Sequence, residues 1–111
     1  MADITTVNPA TGKDIKNYTY MSSDEVNKII DASHKAFSEW RLVSADERAK
    51  VINSIGETLM KYKGELAKLM TEERGKTLEA SLGEVDLCKA ICDFTAGEGI
   101  AALADDERDI E

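Results

Sequence analysis

A serine followed three residues later by a glutamate occurs twice, as Ser22/Glu25 and Ser44/Glu47. Each pair stands directly ahead of a stretch whose apolar residues recur at helical spacing. This pairing marks a helix N-terminus, because the hydroxyl accepts from a free backbone N–H and the carboxylate reaches back to another. After the first pair, Val26, Ile29, Ile30, Ser33, Ala36, Phe37 and Trp40 fall on one helix face. Asp24 and Glu25 also suit the positive end of that helix. After the second pair, Val51, Ile52, Ile55, Leu59, Met60, Leu66, Leu69 and Met70 carry a long helix toward Arg74. Gly64 is a candidate slight break within it, and Gly75 the left-handed residue that ends it. A third helical region is expected from near Thr77, with Leu78, Leu82, Val85, Ile91 and Phe94 at its apolar positions. Gly83 is a candidate kink or close-packing point, and Gly97 and Gly99 weaken the end of this helix.

Ahead of the helices, Pro9 and Gly12 punctuate a turn between two short alternating segments, which predicts a β-hairpin. The expected fold class is therefore mainly α: a short N-terminal β-hairpin followed by three amphipathic helices. A lone hairpin is marginal and needs something to pack on. Helix faces this apolar must also be buried. Three helices can bury one another, but that leaves the hairpin poorly supported, so the pattern hints at a missing partner surface.

At 111 residues the chain is one domain at most, and 42% hydrophobic with 32% charged residues is ordinary for a globular protein. A net charge of −8 argues against a nucleic-acid partner, which calls for a clustered basic surface. Asp105, Asp106, Glu107, Asp109 and Glu111, against Arg108, supply half of that charge and read as a solvated acidic tail, residues 105–111. No apolar run approaches the roughly 18–20 residues that span a bilayer. The N-terminus lacks the basic and apolar regions of a secretory signal, so a cytoplasmic location is the expectation. Cys88 and Cys92 share a helix face. The only histidine, His34, is remote in sequence, so two small buried apolar side chains are expected there rather than a zinc site or a disulfide.

Five segments gain meaning from their order and intervals. They are Asn8-Pro9-Ala10-Thr11-Gly12-Lys13, Ala36 to Arg41 with its Phe37 and Trp40, and Ala45-Asp46-Glu47-Arg48-Ala49. Then come Thr71-Glu72-Glu73-Arg74-Gly75-Lys76-Thr77 and Gly83-Glu84-Val85-Asp86-Leu87-Cys88. In that order the chain resembles the start of an NAD(P)-dependent aldehyde dehydrogenase. Cys88-Lys89-Ala90-Ile91-Cys92 and Met70-Thr71-Glu72-Glu73 tilt the match toward the succinate-semialdehyde dehydrogenase branch. The resemblance implies that residues 1–111 are the N-terminal part of an α/β cofactor-binding domain. It also implies oxidation of an aldehyde, succinate semialdehyde in that branch, to a carboxylic acid with NAD or NADP.

The family's oxyanion Pro-Trp-Asn segment, glycine-rich cofactor turn, Glu-Leu-Gly-Gly base and Gly-Gln-x-Cys nucleophile have no matching motif here. No catalytic and no cofactor-binding residue is therefore carried over, Cys88 and Cys92 included. The chain alone is expected to bind no cofactor and to be catalytically incompetent. One role transfers from the resemblance: Val7, through its backbone oxygen, and Glu73, through its carboxylate, match positions that hold a monovalent cation in some members. Expected partners are the C-terminal remainder of the enzyme or other copies in a homo-oligomer, with no nucleic acid and no membrane. Two further readings stay open. One is a helical interaction or assembly module that self-associates or pairs with a full-length homologue. The other is an independent small helical domain.

Overall fold

The computed structural model describes residues 3–110. Strands β1 (Ile4–Val7) and β2 (Asp14–Tyr18) form an antiparallel hairpin, with Ile4 opposite Tyr18 and a bulge between Thr6 and Val7. Asn8 builds the turn. Its carbonyl accepts from the N–H groups of Thr11 and Gly12, and its side chain accepts from Ala10 N–H. Gly12 completes the turn at φ 69°.

Helix α1 (Ser23–Trp40) begins at the expected capping box. Ser22 Oγ accepts from Glu25 N–H, and the Glu25 carboxylate accepts from Ser22 N–H at 2.8 Å. Helix α2 (Ala45–Lys61) realises only half of the second box. Ser44 Oγ accepts from Glu47 N–H at 3.2 Å, but the Glu47 carboxylate turns to the ammonium of Lys50 instead of reaching back. A full charge one turn along is the stronger partner for an exposed carboxylate than a neutral N–H.

The expected long helix is two. It breaks at Tyr62 (φ −102°, ψ 13°), not at Gly64, and helix α3 (Lys63–Arg74) follows directly. Gly64 has open space around its α-carbon, so no contact explains a glycine there. Lys63, just past the break, pairs with Asp86 at 2.6 Å. Gly75 ends α3 in the left-handed conformation, φ 71°, with its N–H donating to Thr71 carbonyl. Helix α4 (Leu78–Ala96), capped by Thr77, then packs on both α2 and α3, and a short α5 (Glu98–Ala101) follows. Gly83 lies within unbroken α4 and packs closely on nothing; the close approach belongs to Gly56. A Cβ there would lie 3.0 Å from Lys89 Cδ and 3.1 Å from Cys92 Cβ.

The buried residues of this α2–α3–α4 unit are small: Ala49, Gly56, Ala67, Ser81 and Val85. Ser81 is wholly enclosed, and its hydroxyl is satisfied by Thr71 Oγ1 at 3.0 Å. The large apolar side chains point elsewhere. Ile55, Leu69, Leu87, Ile91 and Phe94 are exposed, and α1 buries no residue at all. Cys88 is exposed and Cys92 half-buried, which corrects the expectation of two buried thiols. The chain is correspondingly extended. Its radius of gyration is 19.8 Å, against about 13 Å for a compact domain of this length.

Candidate functional site

The residues that distinguish one region of the surface lie where the hairpin meets the α3–α4 corner. Gly75 seats Pro9 there. A Cβ at Gly75 would stand 2.9 Å from Pro9 Cγ, so only a glycine lets the turn approach this closely. The left-handed φ required at the helix stop makes the same demand. Beyond the stop, Lys76 pairs with Glu84 across the corner. The Lys76 ammonium, by hydrogen bond and charge and with help from Arg74, holds the Glu84 carboxyl below its ordinary range. At the other end of the chain's helical start, the Ser22 backbone N–H and hydroxyl lower Glu25 in the same direction.

Glu73 is half-buried and faces an apolar depression of about 270 Å³ shared with Leu69, Met70, Val85 and Cys88. Val7 is exposed at the end of β1, beside the Asn8 turn. Pro9 on Gly75 therefore brings the segments carrying Val7 and Glu73 to one corner. Among the described residues no three His, Cys, Asp or Glu side chains cluster as a metal site. A larger apolar groove of about 480 Å³ runs along α2 into α3, lined by Val51, Ile55, Leu59, Tyr62 and Leu66.

The strands belong to one hairpin, and the positive-φ glycines are Gly12 in its turn and Gly75 at a helix end. Neither forms the strand–glycine turn–helix unit that cradles a dinucleotide pyrophosphate. The residues described here therefore do not fit a nicotinamide cofactor on their own. The Lys76–Glu84 and Lys63–Asp86 pairs escape sequence reasoning because their partners sit 8 and 23 residues apart, outside any helical period. Gly56 is equally hidden, since a glycine between Ile55 and Glu57 carries no sign of what it faces.

The sequence profile of the aldehyde dehydrogenase family matches residues 1–109. The chain belongs to the aldehyde dehydrogenase family. A succinate-semialdehyde dehydrogenase [NADP(+)] of Mycobacterium tuberculosis is 36% identical over 106 residues, which is 96% of this chain and 23% of that one. The succinate-semialdehyde dehydrogenase [NADP(+)] of Escherichia coli is 34% identical over 96 residues, 86% of this chain and 20% of its own. Among solved structures, an aldehyde dehydrogenase of Brucella melitensis biovar abortus superposes with TM-score 0.86 at 30% identity. It covers 97% of this chain, which corresponds to 22% of that one. A betaine aldehyde dehydrogenase of Staphylococcus aureus in complex with NAD+ superposes with TM-score 0.80 at 25% identity, over 87% of this chain and 20% of its own. The chain thus spans about a fifth of the length of the relatives it matches. No helix among the described residues is long and apolar enough to cross a membrane.

Proposed function

We propose that this chain is the N-terminal, helical part of an aldehyde dehydrogenase that oxidises succinate semialdehyde to the carboxylic acid with NADP or NAD in the cytoplasm. The observation that carries this reading is identity of 36% across 96% of the chain to an enzyme named for that reaction. The chain's own contribution is architectural. Its corner of Pro9, Gly75, Lys76 and Glu84 and its outward apolar faces are positioned to support a reaction centre built by other residues.

In the wider family reaction, a thiolate attacks the aldehyde and hydride passes to the nicotinamide. That chemistry requires an activated cysteine, an oxyanion donor and a placed base. None of the corresponding motifs occurs in residues 1–111. Purified alone, the chain is expected to give no absorbance change at 340 nm with succinate semialdehyde and NADP+. Reduction by the chain free of any longer homologue overturns this reading. The intact mass of the polypeptide in its source cell gives an independent check, since a working enzyme requires a mass several times 12.2 kDa.

Val7 carbonyl and Glu73 carboxylate are proposed as two ligands of a monovalent cation that a further residue completes. Support comes from the seating of Pro9 on Gly75, which draws their two segments together. Glu73→Gln in the longer enzyme is expected to remove any dependence of its thermal stability on potassium or sodium. An unchanged dependence rejects the assignment.

A further inference from the structure

We propose that Cys88 and Cys92, on the flank of α4, form a two-thiolate site for a soft, two-coordinate cation of the copper(I) class.

The placement of the thiols carries the inference. Cys88 and Cys92 stand on α4, which runs unbroken from Leu78 to Ala96. Side chains at their spacing are neighbours on a helix, with Cβ atoms about 5–6 Å apart. Ser81 and Val85 precede them on the same side of α4 and are enclosed. Cys88, by contrast, is exposed and Cys92 half-buried, and both are free thiols. The pair therefore sits where the packed side of α4 opens to solvent. Small or apolar neighbours surround it. Gly56 of α2 faces Cys92, where a Cβ would stand 3.1 Å from Cys92 Cβ. Cys88 lines the depression of about 270 Å³ together with Leu59, Leu66 and Leu69.

This geometry selects the occupant. A disulfide needs Cβ atoms about 3.5–4.5 Å apart, closer than a regular helix turn brings these two, so the pair stays reduced while α4 is intact. A structural zinc ion takes four ligands. Among the described residues no three His, Cys, Asp or Glu side chains gather as a metal site, and His34 lies on α1. Calcium and magnesium need shells of oxygen, which two thiols do not supply. Thiolate is the ligand type that selects copper(I). Two metal–thiolate bonds of about 2.3 Å placed end to end span about 4.6 Å. Rotation about the two Cα–Cβ bonds reaches that span from the Cβ separation of about 5–6 Å. On binding, each thiol gives its proton to solvent and two metal–sulfur bonds form. The metal keeps its oxidation state, so the step needs no oxidant or reductant.

The test is a competition, without oxygen, between the reduced 111-residue chain and bicinchoninate for copper(I). The chain is expected to withdraw one copper per molecule, seen as loss of the visible absorbance of the copper–bicinchoninate complex. X-ray absorption is expected to give two sulfur neighbours per copper. Cys88→Ser and Cys92→Ser, each checked for helix content by circular dichroism, are expected to weaken binding by more than the roughly 10–100-fold that follows from losing a supporting contact. Register supplies a control that does not depend on either single variant. Cys92→Ser with Ile91→Cys restores a neighbouring pair on the helix and is expected to restore binding. Cys92→Ser with Ala90→Cys puts the second thiol on another side and is expected not to. No copper withdrawn, single variants that bind like wild type, or equal binding by the two register variants overturns the proposal. One copper per two chains with a dimer in sedimentation overturns it in favour of a bridge between copies. Zinc held as tightly as copper(I) overturns the assignment to a two-coordinate soft cation.

Discussion

Two glycines in helix interiors make opposite predictions from the same substitution. Alanine is favoured over glycine in a helix by about 0.8–1 kcal/mol. Gly83 lies within α4 with open space where its Cβ would go. Gly83→Ala therefore keeps the whole gain of about 1 kcal/mol, or about 4–8 °C in Tm for a domain of this size. Gly56 lies within α2, and the same Cβ would meet α4. The 3.0 Å contact with Lys89 Cδ is relieved when that flexible side chain swings away. The 3.1 Å contact with Cys92 Cβ is not, because that carbon is fixed to the α4 backbone. Overpacking of this kind costs about 1–3 kcal/mol, so Gly56→Ala ends between neutral and a net loss of about 2 kcal/mol. Thermal and urea melts of the 111-residue chain, followed by circular dichroism at 222 nm, give both values. A cycle with Cys92→Gly isolates the contact, because the coupling energy removes the intrinsic cost of the second glycine. Gly56→Ala as stabilising as Gly83→Ala, with no coupling to Cys92, refutes the close α2–α4 approach.

Gly75→Ala is expected to lose about 1–2 kcal/mol from the left-handed backbone alone and to push Pro9 off the α3–α4 corner. Faster amide exchange over residues 4–18 than in wild type checks the second effect. Ser22→Ala removes the cap of α1 and is expected to cost about 1 kcal/mol of local helix stability. Because α1 buries no residue and makes no substantial packing with another element, that loss is expected in exchange of its first turns and not in the α2–α4 melt. Glu84 is ionised more readily when folded, through Lys76, than in the unfolded chain. The stability from this pair is therefore present above the ordinary carboxyl value of 4.5 and is lost as pH falls through the lower folded value. Glu84→Gln is expected to flatten that acid limb, and an identical limb in the variant refutes the pairing.

Local chemistry made much of the fold legible. The Ser22/Glu25 box, the Gly75 stop and the Asn8–Gly12 turn act through backbone groups within a few residues, and all three stand where the sequence places them. The Tyr62 break was not legible, because no local signal at Tyr62 competes with Gly64 as the weak point. The segment after the break packs against α4, a contact between residues distant in sequence that no local pattern shows. The role of Glu47 escaped for a related reason, since the capping pattern is blind to the competing ammonium of Lys50.

The sequence by itself determined the helices, the hairpin, the family and the presence of apolar faces needing cover, because each follows from short-range periodicity or from ordered motifs. Only the tertiary structure decided which faces are covered. Helices α2, α3 and α4 meet through Gly56, Ala67, Ser81 and Val85, where small side chains allow close approach, and so the larger residues are turned outward. Periodicity marks an apolar stripe but carries no information on which neighbour it meets. That depends on how the helices are set against one another in space.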